Sequence, residues 1–148
     1  GDVPEAGRVI DASGRSGVLA RRWRVPHGPA TLSVSAVFER PGGFAVPDDT
    51  HTLVESHSEG WAWSVPVGRG LRHVTVMLDR PAPGLTPREP ASIHARELCR
   101  TRRMRALVEG SRQVGAPWAA DASAYTASRS RSRWLITWVT PSPRIDTP

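Results

Sequence analysis

HTLVESHSEGWAWSVPVGRGLRHVTVML, residues 51–78, is the segment with the clearest strand and turn pattern. It contains three runs rich in β-branched and aromatic residues, 51–56, 61–67 and 73–78. The two connectors between the runs are short and contain glycine, which is typical of hairpin turns. The stretch therefore predicts an antiparallel β-meander.

The flanking sequence predicts one more strand before the meander and helices after it. Apolar residues alternate with small polar ones over 30–38, which is the period of a strand. The segment 81–90 holds four prolines and excludes a helix interior. From Pro90 the apolar spacing becomes helical, with Ser92 and Thr101 as predicted N-caps. A further strand is predicted over 118–127.

These elements together predict an α+β fold. We expect an antiparallel or mixed β-sheet of about four to six strands, with helices packed on one face and the meander at the centre.

The net charge of +6 comes from arginine alone, because the chain has no lysine. Schiff-base chemistry and lysine acid–base catalysis are therefore excluded. A basic protein raises the question of a nucleic-acid partner. The arginines are spread along the whole chain rather than gathered on one element, so we expect no nucleic-acid partner.

The other composition signals predict a cytoplasmic protein without a metal site. Cys99 is the single cysteine, so an internal disulfide and a multi-cysteine zinc site are excluded. His51, His57 and His73 could share a face of the meander, but zinc needs further converging ligands, and we predict no metal. No apolar run reaches the length of a membrane span, so no membrane partner is expected.

VIDASGRSG, residues 9–17, predicts a strand, a glycine turn and then a short helix over 18–23. A strand that ends in Asp11-Ala12-Ser13-Gly14 lets a cofactor approach the backbone without a side-chain clash. A helix N-terminus after it would offer N–H groups to an anion. Glycine turns between a strand and a helix also occur for packing reasons alone.

GWAWSVP, residues 60–66, places Trp61, Trp63 and Val65 on one face of a strand. Two adjacent indoles form a rigid wall that suits a flat aromatic ligand, although they equally suit a sheet packed on helices. Pro66 indicates a strand end or an edge strand.

In this order and at about this separation, the two motifs resemble flavin-dependent halogenases and the FAD-dependent dehydrogenases and monooxygenases related to them. The resemblance implies FAD as cofactor, with Asp11, Ala12, Ser13 and Gly14 lining its site. It implies that Trp61, Trp63 and Pro66 line the tunnel for an aromatic substrate, with Val65 where the family has isoleucine. The stretch 121–129, DASAYTASR, is similar to the family's strand before its second FAD motif.

Two family features are missing from the sequence. No Gly-x-Gly-x-x-Gly turn for the FAD pyrophosphate precedes Arg8, and there is no lysine to handle hypohalous acid. We therefore expect an internal piece of the parent protein that is inactive alone. No residue is predicted to be a catalytic acid, base or nucleophile.

A third family feature, a Gly-Asp-Ala motif, is expected after Leu135, where the chain instead has ITWVTP. When the codons that must encode residues 137–141 are read in the frame that starts two bases later, one of them always encodes glycine. The same shifted frame can encode Leu-Gly-Asp-Ala. We hypothesise that the chain is out of frame from about Ser130. An arginine–serine RNA-binding tail is the alternative.

The predicted organisation has three parts. Residues 1–24 form the end of the FAD-binding domain, 25–129 the substrate domain, and 130–148 an aberrant or disordered tail. The resemblance implies an oxidoreductase that acts on an aromatic small molecule through reduced flavin and oxygen, with a flavin reductase as possible partner. The alternatives are a flavin dehydrogenase or hydroxylase of the same superfamily, or a non-enzymatic β-rich binding module.

Overall fold

The computed structural model describes residues 9–18, 21–79, 89–127 and 134–136. The chain divides into two compact units, and each is described by itself. The first comprises Gly1–His27 and Tyr125–Pro148, and the second comprises Gly28–Ala124. The assignment of these regions to an FAD-binding domain and a substrate domain stays a prediction.

A five-stranded antiparallel sheet forms the second unit, in the order β4-β5-β6-β3-β7. Its strands are β3 (Thr31–Glu39), β4 (Leu53–His57), β5 (Gly60–Gly68), β6 (Leu71–Asp79) and β7 (Arg112–Asp121). The predicted meander is confirmed as β4, β5 and β6, but it occupies one side of the sheet rather than its centre, with β4 at the edge and β6 in the middle. The strand predicted over 118–127 instead runs over Arg112–Asp121, and Tyr125–Ala127 form a separate short strand outside this sheet.

The alternating pattern of the strands decides which face of this sheet is the core. Val34 pairs with Val76, which pairs with Ala62, and all three side chains are completely buried. Because strand side chains alternate between faces, their neighbours two residues away are also on the core face. The remaining apolar residues of the sheet's core are Leu32, Ala36, Phe38, Val74 and Leu78.

Two helices cover this core face, α1 (Pro90–Cys99) and α2 (Arg103–Val108). They bury Ile93 and Leu98 from α1, and Met104 and Leu107 from α2, in the same hydrophobic cluster as the strands. The α+β fold with helices on one face of an antiparallel sheet is therefore confirmed.

The N-caps predicted for these helices are wrong. Ser92 Oγ donates to the Glu89 carbonyl oxygen, and Thr101 Oγ1 donates to the Leu98 carbonyl oxygen, so neither caps a helix start. A carboxylate from a distant strand takes that role for α2, because Glu55 of β4 accepts from three N–H groups of its first turn. The donors are Arg102 at 2.8 Å, Arg103 at 2.9 Å and Met104 at 2.9 Å.

Arg72 of β6 fixes the loop before β4 to the sheet. Its guanidinium is completely buried, and all five of its N–H groups have acceptors. Nε donates to Ser64 Oγ at 2.9 Å, Nη1 to the carbonyl and carboxylate oxygens of Asp49, and Nη2 to the carbonyl oxygens of His51 and Ser64. The ring of Phe44 lies 5.9 Å from the guanidinium carbon.

Two short strand pairs make up the described part of the first unit. β1 (Val9–Asp11) pairs in parallel with β9 (Trp134–Ile136), and β2 (Arg24–Pro26) pairs antiparallel with β8 (Tyr125–Ala127). Of the tail 130–148, only β9 lies within the described residues, and those three residues are paired rather than irregular. The prediction for the rest of the tail falls outside the described residues.

The helix predicted over 18–23 is not formed as such. A single 3₁₀ turn, Gly14–Ser16, follows β1, and another covers Arg21–Trp23, while residues 19 and 20 lie outside the described residues. Gly17 has the left-handed φ of 52°, which ends the first turn before a helix can propagate. In the described part of the chain, no helix has the length and apolarity needed to span a membrane.

Candidate functional site

The face of the sheet opposite the helices carries the aromatic side chains that the sequence singled out. We call it the indole face and define it by Trp61 and Trp63 of β5, His73 of β6 and Trp118 of β7. In the strand register, Trp63 stands opposite Thr75, and Val65 stands opposite His73. Since opposite residues of an antiparallel pair share a face, β5 and β6 build this surface together.

Trp61 and Trp63 lie side by side, both half-buried, with ring centroids 6.0 Å apart. Their planes are inclined at 56°, so the predicted wall has two tilted panels rather than one flat surface. Pro66 alternates onto the core face, opposite Arg72. The structure thus brings the two tryptophans together and places Pro66 on the other side of the strand.

His73 and Trp118 complete this face, and their contact was not predicted from the sequence. Their rings stack with centroids 5.2 Å apart and planes within 4° of parallel. His73 is 9% exposed and Trp118 is 36% exposed, so the indole covers the imidazole. A regular strand register would have been needed to find this pair, and β7 is not regular.

An irregularity in β7 places Trp118 over His73. Ser35 pairs with Trp118 and Val37 with Val114, so residues 115–117 stand opposite one residue of β3. Gly115 adopts a φ of 71° within this bulge, a conformation that side-chain-bearing residues rarely take. Bulges of this kind re-aim side chains, and here the indole crosses β3 to reach β6.

His73 is held neutral by its surroundings. Burial lowers the pKa of His73 below its ordinary value, and the nearby His94 lowers it further. His94 lies on the core face, where Nε2 donates to the Val74 carbonyl oxygen at 3.1 Å. Burial lowers the pKa of His94 as well, although that hydrogen bond raises it. The surroundings of His73 therefore favour the uncharged form of its imidazole.

Two hydroxyl groups add a polar centre to the indole face. Ser35 Oγ and Thr75 Oγ1 lie 2.9 Å apart and form a buried hydrogen bond between β3 and β6. Because Thr75 stands opposite Trp63, this pair lies directly beside the indole wall. The face thus combines aromatic rings with a few polar groups, the usual composition of a small-molecule site.

The glycine turn predicted to contact FAD lies in the first unit. Asp11 ends β1, Ala12 is exposed, and Gly14 has a φ of 61°. A Cβ atom built on Gly14 would meet nothing within 4 Å, so the backbone is open here. Ser13 Oγ accepts from the Val18 N–H at 2.8 Å, which fixes the turn.

This turn fits part of a flavin nucleotide. An open backbone without a side chain suits close contact with a flat or sugar-like group. The single 3₁₀ turn that follows is too short to supply the predicted helix N-terminus for a pyrophosphate. Arg24 Nη2 donates to the Gly14 carbonyl oxygen at 3.0 Å, so this guanidinium is engaged with the turn itself.

The three histidines that could have shared a face of the meander lie apart. His51 is exposed and bonds Asp48 at 2.8 Å, His57 lies in edge strand β4, and His73 lies in central strand β6. Over the described ranges of the chain, no three histidine, cysteine or acidic side chains converge on a point that could hold a metal ion.

Several solved structures similar to this chain are flavin-dependent halogenases. The flavin-dependent halogenase CmlS matches at TM-score 0.72 and 21% identity, over 86% of this chain and 24% of its own. The myxobacterial chondrochloren halogenase CndH, described as a new variant of FAD-dependent halogenases, matches at TM-score 0.72 and 17% identity, over 92% of this chain and 34% of its own. The peptidyl tryptophan dihydroxylase QhpG, essential for tryptophylquinone cofactor biogenesis, matches at TM-score 0.58 and 25% identity, over 92% and 30%.

No protein-family model and no curated protein sequence matches the chain. The chain spans about a quarter to a third of the length of the solved proteins named above. At these identities the comparisons confirm the fold that the two motifs implied, an α+β unit of the kind found in flavin-dependent halogenases and related FAD-dependent oxidoreductases.

Proposed function

We propose that this chain is part of an FAD-dependent oxidoreductase of the halogenase type and that its indole face binds an aromatic substrate. The observation that carries the proposal is the pair Trp61 and Trp63, side by side on the helix-free face of a sheet whose solved neighbours are flavoenzymes. The substrate, the use of oxygen and the role of a flavin reductase belong to this proposal.

Each unit has a separate role in the proposal. In the first unit, the backbone of Asp11, Ala12, Ser13 and Gly14 would contact FAD, which supplies the redox chemistry when bound. In the second unit, Trp61 and Trp63 would orient an electron-rich ring and exclude water from it. In this assignment no described side chain serves as a catalytic acid, base or nucleophile.

A second candidate function is hydroxylation or dehydrogenation by the same architecture. The match to the dihydroxylase QhpG, which has the highest identity of the three structures described above, favours keeping it. Both candidates place an aromatic group on the indole face, so one binding experiment tests their common part.

The test compares an aromatic ring with its saturated counterpart. We would titrate the ¹⁵N-labelled chain with 4-cresol and with 4-methylcyclohexanol, and follow the indole N–H resonances. We expect 4-cresol to shift the resonances of Trp61 and Trp63, and to bind roughly tenfold tighter than the saturated ring, since aromatic pairs gain energy beyond area burial.

Matched variants locate the site. Trp63→Leu should abolish the preference for the aromatic ring, whereas Trp23→Leu, a half-buried tryptophan of the first unit, should leave it unchanged. Equal binding of both rings, or shifts that survive Trp63→Leu, would overturn the proposal.

A further inference from the structure

Two buried nitrogen atoms of the indole face have no hydrogen-bond partner among the residues that the structure describes. They are Nε2 of His73 and Nε1 of Trp63. Folded proteins rarely bury a polar side-chain atom without a partner, because its lost hydration is not replaced. The two residues lie on adjacent strands, diagonally across from each other, since Val65 stands opposite His73. An external group that reached this corner of the face would satisfy them.

The chemistry of the two nitrogens limits what that group can be. The indole Nε1–H of Trp63 can only donate, and a neutral imidazole nitrogen donates or accepts according to its tautomer. A carboxylate could not donate to an imidazole nitrogen that accepts. A hydroxyl suits both, because its oxygen accepts and its proton is donated.

The position of Trp118 indicates how His73 is reached. The indole stacks on the imidazole and is itself 36% exposed, at the outer edge of β7. It pairs with Ser35 directly after the bulge of residues 115–117. A ligand ring that displaced this indole would keep an aromatic stack on His73 while bringing its substituent to Nε2.

We propose that His73 recognises the hydroxyl group of a phenolic ligand bound on the indole face, and that Trp118 controls access to it. The inference rests on the proposed function, because it takes the indole face as the aromatic site. It adds the residue that selects among aromatic rings and the class of substituent that is selected. Burial, which favours the uncharged form of His73, suits this role, because an uncharged imidazole nitrogen can accept a hydrogen bond from the phenolic hydroxyl.

The test uses two probes of nearly equal shape, 4-cresol and 4-fluorotoluene, which differ in the hydroxyl group. With the ¹⁵N-labelled chain, long-range ¹H–¹⁵N spectra of the histidine rings report on Nε2 of His73. We expect 4-cresol to shift this resonance and 4-fluorotoluene to leave it in place, while both shift the indole signals of Trp61 and Trp63.

Variants give the second readout. His73→Phe keeps a ring beneath Trp118 and removes the nitrogen, so it should reduce the affinity for 4-cresol roughly tenfold and leave that for 4-fluorotoluene unchanged. Trp118→Ala should uncover His73 and strengthen binding of 4-cresol relative to 4-fluorotoluene.

The outcomes separate this inference from the proposed function. If both probes shift the indole signals and neither moves Nε2 of His73, or if His73→Phe lowers both affinities equally, the inference is overturned and the aromatic site stands. If neither probe shifts the signals of Trp61 and Trp63, the proposed function fails and the inference fails with it. An unchanged probe preference in Trp118→Ala would overturn the access role of Trp118.

Discussion

Ser64 and Arg72 are joined by two hydrogen bonds across the core face of β5 and β6. Arg72 Nε donates to Ser64 Oγ at 2.9 Å, and Nη2 donates to the Ser64 carbonyl oxygen at 3.3 Å. Ser64 lies between Trp63 and Val65 in the strand, so its side chain points to the core face. There it is held by the buried guanidinium of Arg72. The hydrogen bonds of Arg72 on the core face therefore fix the part of β5 that carries Trp61 and Trp63.

Replacing Arg72 should destabilise the sheet unit strongly. Arg72→Met leaves Ser64 and Asp49 without their donors and removes the anchor of the preceding loop. We expect the free energy of unfolding to fall by about 1–3 kcal/mol, the cost of leaving a buried hydrogen-bonding group such as Ser64 Oγ without its partner. Urea unfolding followed by circular dichroism measures this loss.

The matched control is Arg69→Met, which removes the same charge from an exposed turn. It should change the free energy of unfolding by no more than about 0.5 kcal/mol. Arg72→Lys should also destabilise, because an ammonium group cannot supply five donors in a planar fork. A stability of Arg72→Met equal to that of Arg69→Met would contradict the anchoring role.

Glu55 should make the stability of the chain depend on pH. Burial raises the pKa of Glu55, but the hydrogen bonds from the N–H groups of Met104, Arg102 and Arg103 outweigh it and hold this pKa below its ordinary value of 4.5. A carboxyl with a lowered folded-state pKa contributes stability that is fully present above its ordinary pKa. That contribution is lost as the pH falls through the folded-state value.

Glu55→Gln should therefore cost about 0.5–2 kcal/mol at pH 7, the range for loss of a helix cap, and less at pH 3. Thermal unfolding at several pH values checks this. Glu59→Gln serves as control, because Glu59 is exposed and forms a long ion pair of 3.7 Å with Arg100. If the difference in the free energy of unfolding between wild type and Glu55→Gln is the same at pH 7 and pH 3, the charge of the cap does not contribute to stability.

Deleting residues 130–148 should leave the sheet unit nearly unchanged. The tail belongs to the first unit, whereas the five-stranded sheet belongs to the second. The described part of the tail, β9, pairs with β1 over three residues. Such short two-stranded pairs are marginal in water. We expect the melting temperature of the sheet unit to shift by only a few degrees, measured by calorimetry. A large drop would show that the tail belongs to the fold and would weaken the frame-shift hypothesis.

Local patterns were sufficient to predict the sheet, and long-range contacts were not predictable. The alternation over 30–38 and the glycine-containing connectors specify strands and hairpins through the backbone period and turn geometry alone. The cap supplied by Glu55 to α2 joins residues nearly fifty positions apart, and nothing in either segment indicates the other.

The candidate site shows the same division. Trp61 and Trp63 were found because a period of two places them on one face. The stack of Trp118 on His73 depends on a bulge in β7, and the sequence gives no register for that strand. Of the helix expected over 18–23, the described residues form only the 3₁₀ turn Arg21–Trp23, and the glycine turn before it ends at Gly17 with a positive φ.

The measurement that tests the central claim most directly is an FAD titration of the ¹⁵N-labelled chain at physiological salt. We expect weak binding, with Kd well above the micromolar range, because residues 1–148 contain no Gly-x-Gly-x-x-Gly turn for the FAD pyrophosphate. The backbone amide signals of Ala12, Ser13 and Gly14 should shift at millimolar FAD. Gly14→Ala should remove these shifts, while Gly28→Ala, which also has a positive φ and open space around Cβ, should retain them. FAD that leaves these three amides unmoved, or that binds stoichiometrically at micromolar concentration, would contradict the account.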